Sequence, residues 1–264
     1  MIFKTFRSLV GRLFSENIQM KLVMIISDTF WFFRKYFLSV EINYSREFLE
    51  NWEKIKPNSS QDKERNFTVY QLIKIYNSVF ENQKTNIIEF GVDRGGTLST
   101  ISNFVKPSTN IFALDSFGEF AVDIKKNITD FDPHYKGFYK PFTKGTRFKK
   151  FDQKVLEKNL NDILVKKDSK LKVITCHWPD NINNEDMNII SDKKFSFVHF
   201  DFDLFTPTVE AIKFIQSRLT PYAIILFDDY NMINQEGVKH AIESTNFNIK
   251  KSIQTQSGQL ICWV

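Results

Sequence analysis

Short apolar runs alternate with helix-like patterns over most of the chain. Each run has the length of a strand, and the segments between them repeat their apolar positions every three or four residues, as amphipathic helices do. The apolar runs cover 87–90, 111–114, 171–174, 195–200 and 223–227, and the helical patterns lie around 66–81, 97–105, 153–165, 207–218 and 236–245. Strands that alternate with helices are joined by crossover connections, which produce a parallel sheet.

The end of the chain has a different pattern. Residues 249–253 and 259–264 are two further strand-like segments, with Ser257-Gly258 between them. A glycine-containing turn between two such segments is typical of an antiparallel hairpin. The sequence therefore predicts an α/β fold whose mostly parallel sheet ends in a C-terminal antiparallel hairpin.

Residues 1–60 form a region of their own. Residues 2–14 carry apolar side chains at helical spacing with basic side chains between them, and a second helix is predicted over 20–38. The polar stretch 56–60 contains Pro57 and ends this region. We therefore predict an N-terminal helical extension, 1–60, followed by a main domain, 61–264.

The basic amphipathic helix at the N-terminus has two interpretations. One is peripheral contact with an anionic membrane surface through residues 1–40. The other is packing on the core, or between copies of the chain in a homo-oligomer, and it is favoured because amphipathic helices usually face a core. A membrane-spanning helix is not predicted, because Asp28, Arg34 and Lys35 interrupt the apolar stretch 21–40.

Composition narrows the function classes. The formal net charge is +5, and residues 1–40 hold four of these charges, so the rest of the chain is nearly balanced. This balance argues against nucleic acid as a partner. The two cysteines, Cys176 and Cys262, are too few for a disulfide framework and lack the spacing of a zinc site. A reducing, cytoplasmic location is expected, membrane-peripheral if residues 1–40 bind a bilayer.

A glycine-rich loop follows the first predicted strand. Glu89 lies at the end of that strand, and the loop that opens the next helix contains Gly91, Gly95, Gly96 and Thr97. Glycines let a backbone turn sharply and approach a ligand closely. The spacing matches neither the dinucleotide-binding fingerprint nor the phosphate-binding P-loop.

The second predicted strand ends in Asp115-Ser116. A carboxylate at this point can accept hydrogen bonds from both hydroxyls of a ribose, since open α/β sheets bind ligands at the carboxyl ends of their strands. The alternative is that Asp115 caps the segment that follows it. The agreement between this strand end and the glycine-rich loop favours a nucleoside.

Four aspartates follow two further apolar strands. Asp201 and Asp203 close one strand, and Asp228-Asp229 close the next. Carboxylates brought together need a compensating positive charge, and an oxygen-rich acidic site suits magnesium or calcium. The alternatives are that Asp201 caps the following helix and that Asp228-Asp229 is a solvated turn, but neither explains both pairs.

These motifs together resemble the macrocin O-methyltransferase family, whose members are metal-dependent sugar O-methyltransferases that use S-adenosylmethionine. The resemblance covers about 66–245. It rests on the segments 89–96, 115–117, 177–182, 201–204 and 228–230.

The resemblance implies a seven-stranded class I methyltransferase fold, which is Rossmann-like. It implies that Asp201, Asp228 and Asp229 bind magnesium and that Asp203 is the general base toward the acceptor hydroxyl. It also assigns S-adenosylmethionine to a set of residues at the strand ends, namely Glu89, Gly91, Gly95, Gly96, Thr97, Asp115, Ser116 and Trp178.

The acceptor is less closely defined than the cofactor. The chain departs from the family at 221–223, where Pro-Gly-Gly is usual, and at Phe205, where Tyr is usual. A lid-like insertion, 118–152, interleaves basic and aromatic residues, a composition that suits an acidic glycan but also a solvated loop. We expect a small-molecule or glycan acceptor, with methylation of a sugar hydroxyl. The alternatives are a phenolic or other small metabolite, and a non-catalytic scaffold that binds a nucleoside or glycan.

Overall fold

The computed structural model describes residues 42–117, 128–132, 154, 156–158, 160, 170–232 and 236–264. The helices predicted over 2–14 and 20–38 lie outside the described residues, as do any contacts of residues 1–40 with a membrane or a second copy. Most of the insertion 118–152 lies outside them too. The described positions between 154 and 160 are helical, in agreement with the helix predicted there.

Helices and strands alternate through most of the described part. The helices are α1 (Arg46–Ile55), α2 (Lys63–Val79), α3 (Gly96–Phe104), α4 (Asn184–Ser191), α5 (Phe205–Gln216) and α6 (Gly237–Ser244), with a short 3-10 helix (Lys56–Asn58) after α1. The strands are β1 (Asn86–Phe90), β2 (Asn110–Asp115), β3 (Lys170–Thr175), β4 (Phe195–Phe200), β5 (Leu219–Phe227), β6 (Lys251–Gln254) and β7 (Leu260–Trp263). None of the helices in these ranges is long and apolar enough to cross a bilayer.

One seven-stranded sheet organises the fold, with the strand order β3-β2-β1-β4-β5-β7-β6. Strands β1 to β5 pair in parallel. Strand β7 pairs antiparallel with both β5 and β6. A parallel sheet that ends in an antiparallel hairpin confirms the predicted fold class.

Both faces of the sheet are covered, because successive side chains of a strand point to opposite faces. On one face, Ile88 and Phe90 of β1 pack with α4, α5 and α6. On the other face, which we call the α2 face, Ile87 packs with α2 and α3. Burial on both sides explains why the parallel strands read as continuous apolar runs.

Helix α2 begins at an aspartate cap. The Asp62 side chain accepts a hydrogen bond from the backbone N–H of Arg65 at 2.9 Å, which satisfies an amide that the first turn leaves free. Val69, Ile73 and Tyr76 are buried and turn one stripe of the helix onto the sheet. The cap and this stripe together set the position of the first turn of α2.

Helix α1 belongs to the same packed unit as α2 and α3. Phe48 is fully buried, and the Asn103 amide of α3 donates to the Asn51 side chain at 2.7 Å. The Ser45 hydroxyl donates to the Tyr70 hydroxyl at 3.1 Å. The described end of the predicted extension is therefore continuous in packing with the residues beyond position 60.

Candidate active site

Four acidic side chains meet at the carboxyl edge of the sheet on the α2 face. Glu89 lies in register with Ala113 and His199, and His199 lies in register with Leu226. Two residues further along β2, β4 and β5 the chain carries an aspartate, so each shares the face of Glu89. These aspartates are Asp115, Asp201 and Asp228.

Three carboxylates lie close enough together to share one cation. Oxygens of Asp201, Asp203 and Asp229 all lie within 4.8 Å of one another. Asp203 and Asp229 have positive φ angles of 62° and 51°, and the backbone N–H of Leu204 donates to Phe202 O at 2.7 Å around Asp203. Left-handed backbone at non-glycine residues costs conformational energy and is concentrated at functional sites.

Asp228 has different surroundings from the three aspartates of this group. Its carboxylate is buried, and Oδ1 accepts a hydrogen bond from Gln259 Nε2 at 2.8 Å. Its Oδ2 accepts from Arg65 Nη1 at 2.5 Å and from Gln61 Nε2 at 3.2 Å. Both oxygens of Asp228 are therefore engaged by protein donors, and the structure groups Asp203, not Asp228, with Asp201 and Asp229.

Arg65 supplies a positive charge inside the acidic cluster, by which we mean Asp201, Asp203, Asp228 and Asp229, and the sequence pattern did not identify it. Its guanidinium also contacts Asp229 Oδ1, at 2.8 Å. Burial by itself lowers the pKa of Arg65, but the carboxylates of Asp228 and Asp229 more than reverse this effect, and the group stays charged. One guanidinium balances only part of four carboxylates, and the cluster keeps an excess of negative charge.

The remaining negative charge costs free energy, because the carboxylates are buried and close to one another. Burial, followed by the neighbouring carboxylates of Asp228 and Asp203, raises the pKa of Asp201 well above its ordinary value. Burial also raises the pKa of Asp228, and Arg65 opposes that rise. A bound divalent cation is a physical way to hold such carboxylates ionised at neutral pH.

Glu89 is fully buried at the end of β1. Its Oε1 lies 3.0 Å from Nδ1 of His199, and burial raises the pKa of the Glu89 carboxyl, an effect that the hydrogen bond to His199 opposes. Among the described residues, neither Glu89 Oε2 nor His199 Nε2 has a hydrogen-bond partner. Buried polar atoms are nearly always satisfied, and a free oxygen here is available to a polar group of a ligand.

Asp115 holds the glycine-rich loop against the end of β2. Its Oδ2 accepts hydrogen bonds from the backbone N–H groups of Val92 and Asp93 at 2.6 and 2.8 Å, and Oδ1 accepts from Phe117 N at 2.7 Å. Ser116 is half-buried beside it. The carboxylate therefore holds the loop by hydrogen bonds. Its remaining lone pairs could accept hydrogen bonds from a ribose hydroxyl.

The glycines of this loop are needed for contacts within the protein. Gly91 has a φ of 85°, and a Cβ there would lie 2.1 Å from the backbone oxygen of Asp201. A Cβ on Gly96 would lie 2.5 Å from Ser59 Oγ. Gly95, with a φ of 84°, precedes the first residue of α3. The predicted close approach is thus made to other parts of this chain.

Trp178 lies on the opposite face of the sheet from Glu89. It is buried in the core on the opposite face of the sheet, where its ring packs edge-on against Phe90 and Phe214. Its Nε1 has no hydrogen-bond partner among the described residues. The other predicted site residues lie at or follow the carboxyl ends of β1, β2, β4 and β5, whereas Trp178 packs in the core on the opposite face of the sheet from Glu89.

Gln61 joins the glycine-rich loop to the acidic cluster and was also missed in the sequence. Its Oε1 accepts a hydrogen bond from the Thr97 hydroxyl at 2.8 Å. Its Nε2 donates to Asp201 Oδ2 at 2.8 Å and, more weakly, to Asp228. The residues before and within the first turn of α2 are therefore a wall of this site.

Comparison with known proteins places the fold. No protein-family model matches the chain, and no curated protein matches it. The structure of the O-methyltransferase NovP matches with a TM-score of 0.57 and 11% identity, over 94% of this chain and 99% of that one. The calicheamicin methyltransferase CalS11 matches with a TM-score of 0.49 and 16% identity, over 84% of this chain and 94% of that one. The match to NovP shows that the chain has the fold found in class I methyltransferases.

Proposed function

We propose that this protein is an S-adenosylmethionine-dependent O-methyltransferase that uses magnesium or another divalent cation. The acceptor is a hydroxyl of a sugar, glycosylated metabolite or glycan, as in the macrocin O-methyltransferase family that the motifs resemble. The observation that carries the proposal is the meeting of the Asp201, Asp203 and Asp229 oxygens beside the Glu89 strand end. An acidic cluster next to a loop of this kind, at the carboxyl edge of the sheet, suits a cation beside a nucleoside.

The cofactor part of the proposal rests on the end of β1 and the loop that follows it. The free Oε2 of buried Glu89 fits an N–H or O–H donor of the cofactor. Asp115 and Ser116 lie at the neighbouring strand end for the ribose, with Gly91, Gly95, Gly96 and Thr97 forming the loop between. Since Trp178 packs in the opposite core, its proposed contact with the cofactor has the least support in the set.

The cation part has two alternative ligand sets. The family resemblance implies Asp201, Asp228 and Asp229, with Asp203 as the base. The oxygen positions favour Asp201, Asp203 and Asp229, because protein donors already engage both oxygens of Asp228. Carboxylate oxygens are the ligands that magnesium prefers, so either set fits the ion.

The reaction needs an aligned acceptor and a place for its proton. S-adenosylmethionine would supply the methyl group, and the cation would lower the pKa of the acceptor hydroxyl. Asp203 would accept the hydroxyl proton. The turn at Leu204 holds the backbone of Asp203 in a left-handed conformation. Glu89 and the glycine-rich loop would orient the donor, and alignment of this kind can contribute on the order of 7–11 kcal/mol.

The variant Asp203→Asn tests the assignment of the base. We expect S-adenosylhomocysteine to bind as in the wild type, because Asp203 lies outside the proposed cofactor contacts, while methyl transfer falls by about 100-fold or more. Transfer is measured against a panel of sugar and glycoside acceptors. The matched control is Asp192→Asn, an exposed aspartate that precedes β4 at the opposite edge of the sheet.

The same experiment separates the two roles of Asp203. Magnesium affinity that stays at the wild-type value while turnover is lost supports a base. Magnesium affinity that falls together with turnover supports a ligand and the set Asp201, Asp203 and Asp229. Undiminished methyl transfer in Asp203→Asn, or full transfer in excess chelator, would falsify the mechanism.

A further inference from the structure

The segment in front of α2 connects two parts of the proposed site that come from distant regions of the chain. Gln61 accepts from the Thr97 hydroxyl of the first turn of α3 and donates to Asp201 at the end of β4. Both hydrogen bonds measure 2.8 Å. One side chain, that of Gln61, therefore has hydrogen bonds to both a proposed cofactor residue and a proposed cation ligand.

The orientation of the Gln61 amide follows from its neighbours. Ionised carboxylates only accept hydrogen bonds, so the amide nitrogen must face Asp201 and Asp228. The amide oxygen then faces Thr97, whose hydroxyl can donate to it. Rotating the amide by 180° would set an oxygen against two carboxylates, and the arrangement therefore has one stable direction.

The backbone around Gln61 is held from several sides. Gly96 of the loop leaves room for Ser59, since a side-chain carbon there would lie 2.6 Å from Ser59 Cβ. The Ser59 hydroxyl donates to Gln61 O at 3.0 Å and accepts from Asn66 Nδ2 at 3.2 Å. Thr100 of α3 in turn donates to Asn66 Oδ1 at 3.1 Å. A shift of the glycine-rich loop is therefore transmitted to the segment that carries Gln61.

We propose that Gln61 is a positioning residue that couples cation binding to cofactor binding, so that each ligand raises the affinity for the other. The inference rests on the proposed function, because it takes both ligands from it. The physical basis is that one side chain connects both parts of the site through two hydrogen bonds. A ligand that restricts the motion of Thr97 also restricts the donor that orients Asp201, and the second ligand then removes less freedom when it binds.

Coupling of this kind is reciprocal and can be measured from either side. In the wild type, we expect saturating S-adenosylhomocysteine to lower the Kd of magnesium by about five-fold or more. Magnesium should lower the Kd of S-adenosylhomocysteine by the same factor. Isothermal titration calorimetry on the full chain gives both numbers without the need for an acceptor.

The test variant is Gln61→Met, which keeps the length of the side chain and removes both hydrogen bonds. We expect both ligands to bind it, with the coupling factor reduced to about one. The matched control is Gln71→Met on the exposed side of α2, which should keep the wild-type factor. If Gln61→Met does not fold, Gln61→Asn keeps the amide on a side chain one methylene shorter, and it should lose the coupling as well.

The outcomes distinguish this inference from the proposed function. A wild-type coupling factor in Gln61→Met or its substitute, or a wild type that binds both ligands independently, would overturn the role of Gln61 and leave the proposed function standing. A wild type that binds neither ligand would overturn the proposed function and this inference with it.

Discussion

At the scale of single residues, the acidic cluster depends on a positively charged side chain of the protein itself. Arg65 holds Asp228 and Asp229 from one side, and its side chain is only 12% exposed. The strand-end aspartates were identified from the sequence because they follow conspicuous apolar runs. Arg65 was not, because it lies 163 positions from Asp228 and no local pattern connects the two.

Replacing Arg65 should therefore destabilise the protein strongly. In Arg65→Met, Asp228 keeps Gln259 and Gln61 as donors but loses its buried counter-charge, and breaking a buried pair from one side costs about 3–5 kcal/mol. Urea unfolding monitored by circular dichroism measures the change in the free energy of unfolding. Added magnesium should restore part of the loss, because it supplies positive charge to the same carboxylates.

The control for this change is Arg46→Met. Arg46 also forms an ion pair, with Glu50 at 2.8 Å, but both side chains are largely exposed to solvent. Exposed pairs contribute little, so we expect no comparable loss of stability. Equal loss in the two variants would show that Arg65 has no special role in the acidic cluster.

At the scale of elements, the buried parts of the structure were predictable and the exposed parts were less so. Strand β5 begins at Leu219, earlier than the apolar run 223–227, because its first residues are partly or fully exposed and follow no apolar pattern. Helix α2 begins at Lys63, and its cap Asp62 was the available signal for that start. Helix α4 was not predicted, since Ile190 is its one buried residue and its apolar pattern is weak.

The close contact between the ends of β1 and β4 predicts that a larger residue at Gly91 destabilises the protein. In Gly91→Ala, the new methyl group would meet the backbone oxygen of Asp201 at 2.1 Å, and a backbone atom cannot turn aside as a side chain can. Left-handed strain and overpacking together should cost about 3 kcal/mol in the free energy of unfolding. Magnesium affinity should fall as well, because Asp201 would be displaced.

Gly258→Ala is the matched control for the backbone term. Gly258 has a φ of 90°, but the nearest atom to an added Cβ is Met232 Sδ at 3.5 Å. Only the strain of a left-handed alanine remains, about 1–2 kcal/mol. If Gly91→Ala is no more destabilising than this control, the close approach of the two strand ends is not what requires glycine at position 91.

At the scale of the whole molecule, the site is assembled from segments spread over most of the described chain. The strands bring Glu89, Asp115, Asp201 and Asp228 to one edge, as the alternation of strands and helices predicted. Gln61, Arg65 and Gln259 come from outside the parallel strands, and their place depends on how α2 and the hairpin pack against the sheet. Tertiary packing of that kind leaves no periodic signal in the sequence.

In the proposed function, this edge of the sheet binds S-adenosylmethionine next to a divalent cation. Thermal unfolding of the full chain with S-adenosylhomocysteine, in magnesium and in chelator, tests it most directly. At a ligand concentration of about 100 times Kd, binding adds about 2.7 kcal/mol to the free energy of unfolding. For a chain of this size, that free energy corresponds to a rise in Tm of about 5–10 °C.

The predicted result is a rise in Tm with S-adenosylhomocysteine that is larger in magnesium than in chelator, and no comparable rise with ATP, which shares the adenosine group. A Tm that does not change with S-adenosylhomocysteine up to its solubility limit, with or without magnesium, would show that this edge of the sheet does not bind the cofactor.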